Sequence, residues 1–239
     1  MIWLYAALLV LWGNVASSVL GASSWLPGGS WQFVVAGLAL TAVSFAAARA
    51  LGLDARDLGL TRRDAVRGAL IGAAFGTAVA VAAIAALRVV APLIVGRDVD
   101  YAPLRQVTEN ELIRHAAVLL PLGAILPEEL AFRGVLLGAL ARLRGSRAAV
   151  ALSAVVFALW HAAVAVVTVG DTTLGRPSPW FLPAVATALV ALFMGGAVFA
   201  WLRLRTGSLA TTVAAHWLFN AALLAGLWST RPSGPSGCC

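Results

Sequence analysis

Lysine is missing from this chain of 239 residues; all 17 of its basic side chains are arginine, and charged residues of either sign make up only 11%. Cysteine occurs only twice, as Cys238 and Cys239 at the end of a Ser/Gly/Pro-rich tail. That placement excludes an internal disulfide framework and a cysteine metal site. A Gly-x-Ser-x-Gly elbow is absent, and so is His-Glu-x-x-His, which removes the commonest serine-hydrolase and zinc-peptidase signatures. Long polar stretches are missing as well. The longest polar connections, near 51–67 and 96–112, leave no room for a separate soluble domain. Residues 1–230 are therefore read as one membrane-embedded domain, with 231–239 as a disordered tail. The formal charge of +7 does not form a basic stripe, which argues against a nucleic-acid partner.

What the chain has in abundance is apolar residues, at 61%. Apolar runs of about 18 residues or more recur, each long enough to cross a hydrocarbon core of about 30 Å as a helix. They lack the alternation of a β-barrel strand. The fold class is all-α, a polytopic transmembrane helix bundle of about seven spans, near 2–21, 31–50, 68–95, 113–141, 148–169, 180–202 and 207–228. The first has no basic n-region and no small-residue cleavage site, so it reads as a retained span. The fourth is too long for a straight crossing. Pro121 and Pro127 predict a tilt, kink or division there, with a new helical segment starting at Pro127.

Arginines sort by connection. Arg49, Arg56, Arg62, Arg63 and Arg67 crowd the second, Arg142, Arg144 and Arg147 the fourth, and Arg203 and Arg205 the sixth. The positive-inside rule places these connections and the N-terminus in the cytoplasm and the C-terminus outside. A multi-pass protein of the bacterial cytoplasmic membrane is expected, since abundant alanine with arginine as the only strong base suggests a high-GC genome. Trp3, Trp12, Trp25, Trp31, Trp180 and Trp228 near span ends suit interfacial anchoring, and Gly72, Gly76, Gly195 and Gly196 suit close helix approach.

Ionisable groups inside spans cost on the order of 2.5–3.5 kcal/mol each, so each needs a partner or a task. The set comprises Arg88, Glu128, Glu129, Arg133, His161 and His216, with Asn220 beside them. Arg88 can snorkel to the interface. Glu129 and Arg133 stand four apart on one helix face and read as a self-contained ion pair. That leaves Glu128 without a local partner. His216 and Asn220 share a face of the last span at the same spacing, and Phe157 precedes His161 by one turn. Counting about 1.5 Å per residue from the arginine-rich connections puts Glu128, His161 and His216 roughly 20, 20 and 14 Å deep. All three fall near the bilayer midplane.

A buried carboxylate and a neutral imidazole can take a proton from water, and a second imidazole with an amide N–H₂ can steady an oxyanion. Hydrolysis of an acyl bond follows. The ordered set Glu128-Glu129-x-x-x-Arg133, Phe157-x-x-x-His161 and His216-x-x-x-Asn220 resembles the three motifs of the CPBP intramembrane proteases over about residues 109–228. Asp57-Leu-Gly-Leu-Thr-Arg62 is a weaker echo before them. The family includes the CAAX prenyl proteases and bacterial members linked to bacteriocin processing or self-immunity. The resemblance implies that Glu128 and His161 activate water and that His216 and Asn220 form the oxyanion site. Glu129 and Arg133 would hold the site together, and Phe157 would pack beside it. No cofactor is expected; if a divalent metal such as zinc were bound, Glu128, His161 and His216 would be its ligands. The implied partners are the lipid bilayer and a membrane-anchored protein or peptide substrate, prenylation not being expected in a bacterium. A transporter or proton relay also keeps ionisable residues at the midplane, and a non-proteolytic scaffold or immunity protein could retain the fold.

Overall fold

A computed structural model describes residues 1–20, 31–61 and 65–231. Trp25, Arg62, Arg63 and the tail with Cys238 and Cys239 lie outside the described residues. The described chain forms seven helices: α1 Ile2–Leu20, α2 Trp31–Ala50, α3 Ala65–Val95, α4 Glu109–Trp160, α5 Ala162–Gly170, α6 Phe181–Thr206 and α7 Leu209–Ser229. Five of them, α2, α3, α4, α6 and α7, are long and apolar enough to cross a bilayer. Among the described residues there is no β-strand, only an isolated antiparallel bridge between Tyr101 and Thr172.

The expected fourth and fifth spans both fall in α4. Gly145, at φ 76° and ψ 166°, interrupts the helical backbone within the expected 142–147 connection and divides α4 into two arms. Its positive φ is tolerated because glycine has no Cβ. The fifth span then breaks at His161 and continues as the short α5. α4 begins at Glu109, earlier than hydropathy alone suggests, because Thr108 and Glu111 form a reciprocal capping box.

Pro127 does not start a new helix, contrary to the sequence expectation. The backbone stays right-handed helical through Ile125, Leu126 and Leu130. The missing proline donors are accommodated by wider π-helical turns at His115–Leu119, Pro121–Ile125 and Leu130–Leu136. Glu128 and Glu129 thus lie in the interior of a long helix, away from its N-terminus.

The core is built around the first arm of α4. Phe132, Val135, Leu136 and Leu140 are fully buried against Tyr5 and Leu9 of α1, Leu40 of α2, Phe157 and Trp160 of the second arm, and Ala200 of α6. α2 crosses α4 at Gly37, where an added Cβ would come within 2.5 Å of the Gly123 carbonyl oxygen. α3 packs chiefly on α7. A Cβ at Gly72 or Gly76 would collide with the backbone carbonyls of Thr211 and Ala215. Gly72→Leu is expected to pry these helices apart and cost about 1–3 kcal/mol, measured by thermal melting in detergent.

The arginine-rich connections meet at one end. Arg142 pairs with Asp57 and donates to the Gly52 carbonyl at 2.8 Å. Buried Arg203 donates to the carbonyls of Arg56 and Asp57 at 3.2 and 2.8 Å, and Leu209 N–H donates to the Gly59 carbonyl at 2.9 Å. The Asp57-Leu-Gly-Leu stretch is therefore a clasp joining the α2–α3 connection to α4, α6 and α7. Asp54 supports it by accepting from the N–H groups of Arg56 and Asp57, and these hydrogen bonds hold its carboxyl below the usual range. At the other end the Arg88 guanidinium reaches the loop that follows α3, where it pairs with Asp100 at 3.3 Å and donates to the Val99 carbonyl.

Candidate active site

Three helices converge around the two glutamates. Glu128, Glu129 and Arg133 are 3%, 0% and 1% exposed. Arg133 Nη1 donates to Glu129 Oε1 at 2.9 Å, as the spacing predicted. The pair is not self-contained, however. His216 Nδ1, from α7, also donates to Glu129 Oε1 at 2.9 Å. Glu129 thereby ties α4 to α7. The guanidinium lies 4.1 Å from the Phe157 ring centroid and 5.3 Å from that of Phe199, so aromatic faces share its charge with Glu129. Phe157 also stacks edge-on against Phe132 at 5.1 Å and lies 4.4 Å from the His161 ring.

His161 occupies the break between α4 and α5, with φ −91° and ψ 7°, a sparsely populated backbone region where many active-site residues fall. Its Nδ1 lies 2.9 Å from the Phe157 carbonyl oxygen, which can only accept, so Nδ1 carries the proton. The Nε2 lone pair then faces Glu128 Oε2 at 3.7 Å. Both atoms are acceptors. Glu128 Oε2 is buried and has no hydrogen-bond partner among the described residues. A narrow slot beside Glu128, lined by Trp12, Phe33, Gly37, Gly123 and Trp160, has room for about one water. Trp12 is thus part of this wall and of the core rather than an interfacial anchor.

Asn220 sits one turn beyond His216, half-buried, and its Nδ2 donates to the His216 carbonyl at 3.0 Å. The structure gathers Glu128, Glu129, Arg133, Phe157, His161 and His216, whereas this Asn220 hydrogen bond turns back onto its own helix. Among the described residues, no group of three or more His, Cys, Asp or Glu side chains is arranged to hold a metal ion.

Asn14 of α1 escaped the sequence reading. Its Nδ2 donates to the Leu159 carbonyl at 2.9 Å and to that of Val10 at 2.8 Å, while its Oδ1 accepts from Ala163 N–H at 2.9 Å. Leu159 C=O and Ala163 N–H are the two groups that an unbroken α-helix would join to each other. The Asn14 amide stands between them and splints the break that presents His161. A lone amide in an apolar first span was the available signal. Asn14→Ala is expected to let the break close or wander and to lower kcat on the order of 10- to 100-fold, with KM nearly unchanged. Unaltered kcat in a peptide-cleavage assay would remove Asn14 from this role.

Comparison with family models matches residues 111–222 to the type II CAAX prenyl endopeptidase Rce1-like family. The matched stretch, just under half of the chain, is similar to that family and supports the CPBP resemblance of the three motifs. No curated protein and no solved structure gives a match. The CPBP match starts at Glu111 in the capping box of α4 and ends just beyond Asn220, so it contains every motif residue that the sequence singled out. It assigns the chain, in broad terms, to the CAAX-type intramembrane endopeptidases, and the apolar helices make it a multi-pass membrane protein. α1, α2 and α3 precede the match, yet Asn14 from α1 splints the break at His161, and Phe33 and Gly37 from α2 line the slot beside Glu128.

Proposed function

We propose that the protein hydrolyses a peptide bond of a membrane-anchored protein or peptide, with water activated by Glu128 and His161. The observation that carries this reading is the facing pair of acceptors, Glu128 Oε2 and His161 Nε2, 3.7 Å apart, with His161 Nδ1 already committed to the Phe157 carbonyl. A water lying to one side of this gap can donate to both, and loss of its proton to either leaves a hydroxide aimed at a carbonyl carbon. The carbonyl oxygen becomes an oxyanion as the tetrahedral intermediate forms, and His216 with Asn220 supplies its donors. His216 donates from Nε2 when the ring is the imidazolium, because Nδ1–H is given to Glu129. Asn220 has a second N–H on Nδ2 for the same purpose. Collapse of the intermediate returns the proton to the leaving amine. Glu129 and Arg133 act as positioning residues, and no metal is required.

We infer from the positive-inside rule that the arginine-rich end, where Arg142 and Arg203 gather on the α2–α3 connection, faces the cytoplasm of a bacterial cell, as does the N-terminus. The test is proteolysis in liposomes with a panel of membrane-anchored peptides, comparing the natural chain with His161→Ala. Cleavage that survives the substitution intact defeats the assignment. Metal analysis of the same preparation checks the chemistry, since stoichiometric zinc together with activity lost to a chelator would overturn the metal-free mechanism.

A further inference from the structure

At the end of the bundle opposite the arginine clasp, the residues after α3 and those after α5 are laced into one platform. Thr173 N–H donates to the Asp100 carbonyl at 3.1 Å, Ala102 N–H donates to the Asp171 carbonyl at 3.0 Å, and Thr173 Oγ1 donates to the Asp98 carbonyl at 2.8 Å. The loop before α6 doubles back so tightly that a Cβ on Gly175 would strike the Gly170 carbonyl. Between these segments lies a cavity of about 360 Å³, lined by Arg97 and Arg176 together with Thr172, Thr173 and Ser178.

Its charge is one-sided. No carboxylate is among the lining residues; of the neighbouring aspartates, Asp100 is paired with Arg88, and Asp98 and Asp171 belong to the laced segments without lining the cavity. Arg97 reaches across to Ser178 Oγ at 2.6 Å, which fixes one guanidinium at the rim. Arg176 lies against the Phe181 ring at 4.9 Å and has donors left to give. Two guanidiniums and neighbouring hydroxyls are a donor set for tetrahedral oxyanions, and the volume is that of a small-molecule site. The approaches are apolar: Leu93 and Ile94, one turn before Arg97, are 81% and 63% exposed, and Leu182, one turn after Ser178, is 71% exposed. These residues end helices that cross a bilayer, so they meet acyl chains at the depth where headgroups begin.

We propose that this cavity binds a phosphate-bearing headgroup, with Arg97 and Arg176 as its anion ligands and the flanking leucines and isoleucine as rests for the acyl chains. The site is separate from the glutamates and does not depend on the proteolytic reading. The test follows thermal melting of the purified full chain in a maltoside detergent, titrated with short-chain phosphatidylglycerol, with inorganic phosphate, and with diacylglycerol as a phosphate-free lipid. Phosphatidylglycerol is expected to raise the melting temperature saturably, and diacylglycerol is not. Arg176→Gln breaks no hydrogen bond of the platform and is expected to weaken phosphatidylglycerol binding about tenfold or more. Arg97→Gln adds loss of the Ser178 contact, and its ligand-free melting curve shows whether the platform survives. Inorganic phosphate binding as tightly, with the same Arg176 dependence, keeps the site and assigns it to soluble phosphate esters. Identical phosphatidylglycerol titrations for the natural chain and Arg176→Gln overturn the proposal.

Discussion

Glu128→Gln is expected to lower peptide cleavage by about 10²–10⁴-fold while leaving the fold as stable as before or more so. The side chain is 3% exposed, and its Oε2 has no hydrogen-bond partner among the described residues. Replacing carboxylate by amide therefore removes no hydrogen bond of that oxygen, keeps the volume and makes the group cheaper to bury. What it removes is the capacity to take a proton. A residue retained for packing would show the reverse, with stability falling and cleavage following it. Melting curves and cleavage rates from one preparation separate the two outcomes. A Glu128→Gln protein that cuts at the natural rate would rule out Glu128 as the base.

The neighbouring carboxylate has the opposite profile. Glu129→Ala strips the only carboxylate among the described residues that is bonded to Arg133, which is 1% exposed, and frees His216 Nδ1. Removing one partner of a buried ion pair leaves the other charge uncompensated, at about 3–5 kcal/mol. The Phe157 and Phe199 faces soften this cost without cancelling it. The double change Glu129→Leu with Arg133→Met removes both charges at similar volume, and most of the lost melting temperature is expected to return. Cleavage is not expected to return, because His216 remains unanchored. Recovery of both properties together would show that the Glu129–His216 bond has no part in positioning.

The positions of most helices were legible in hydropathy, and the spacing of Glu129 with Arg133 announced their ion pair. Within one helix, residue spacing fixes direction, and that much is carried by sequence. The rotation of one span against another is not. A helix in a bilayer is apolar toward lipid and apolar toward its neighbours, so its pattern does not say which face turns inward. The Glu129–His216 bond, the inward turn of Trp12 and the reach of Asn14 to Leu159 and Ala163 all depend on that rotation. Pro127 misled for a different reason. Proline predicts a lost donor, but it does not say whether the chain stops the helix or widens it, and here π-helical turns widen it.

α3 runs for 31 residues, about 45 Å of helix, against a hydrocarbon core of about 30 Å. Such a rod fits by tilting, by kinking, by thickening the lipid around it or by projecting beyond the core at its ends. It is zipped through Gly72 and Gly76 to the helix that carries His216. A change in the tilt of α3 would pass through that packing to the imidazole that grips Glu129, so cleavage rates are expected to vary across vesicles of graded acyl length.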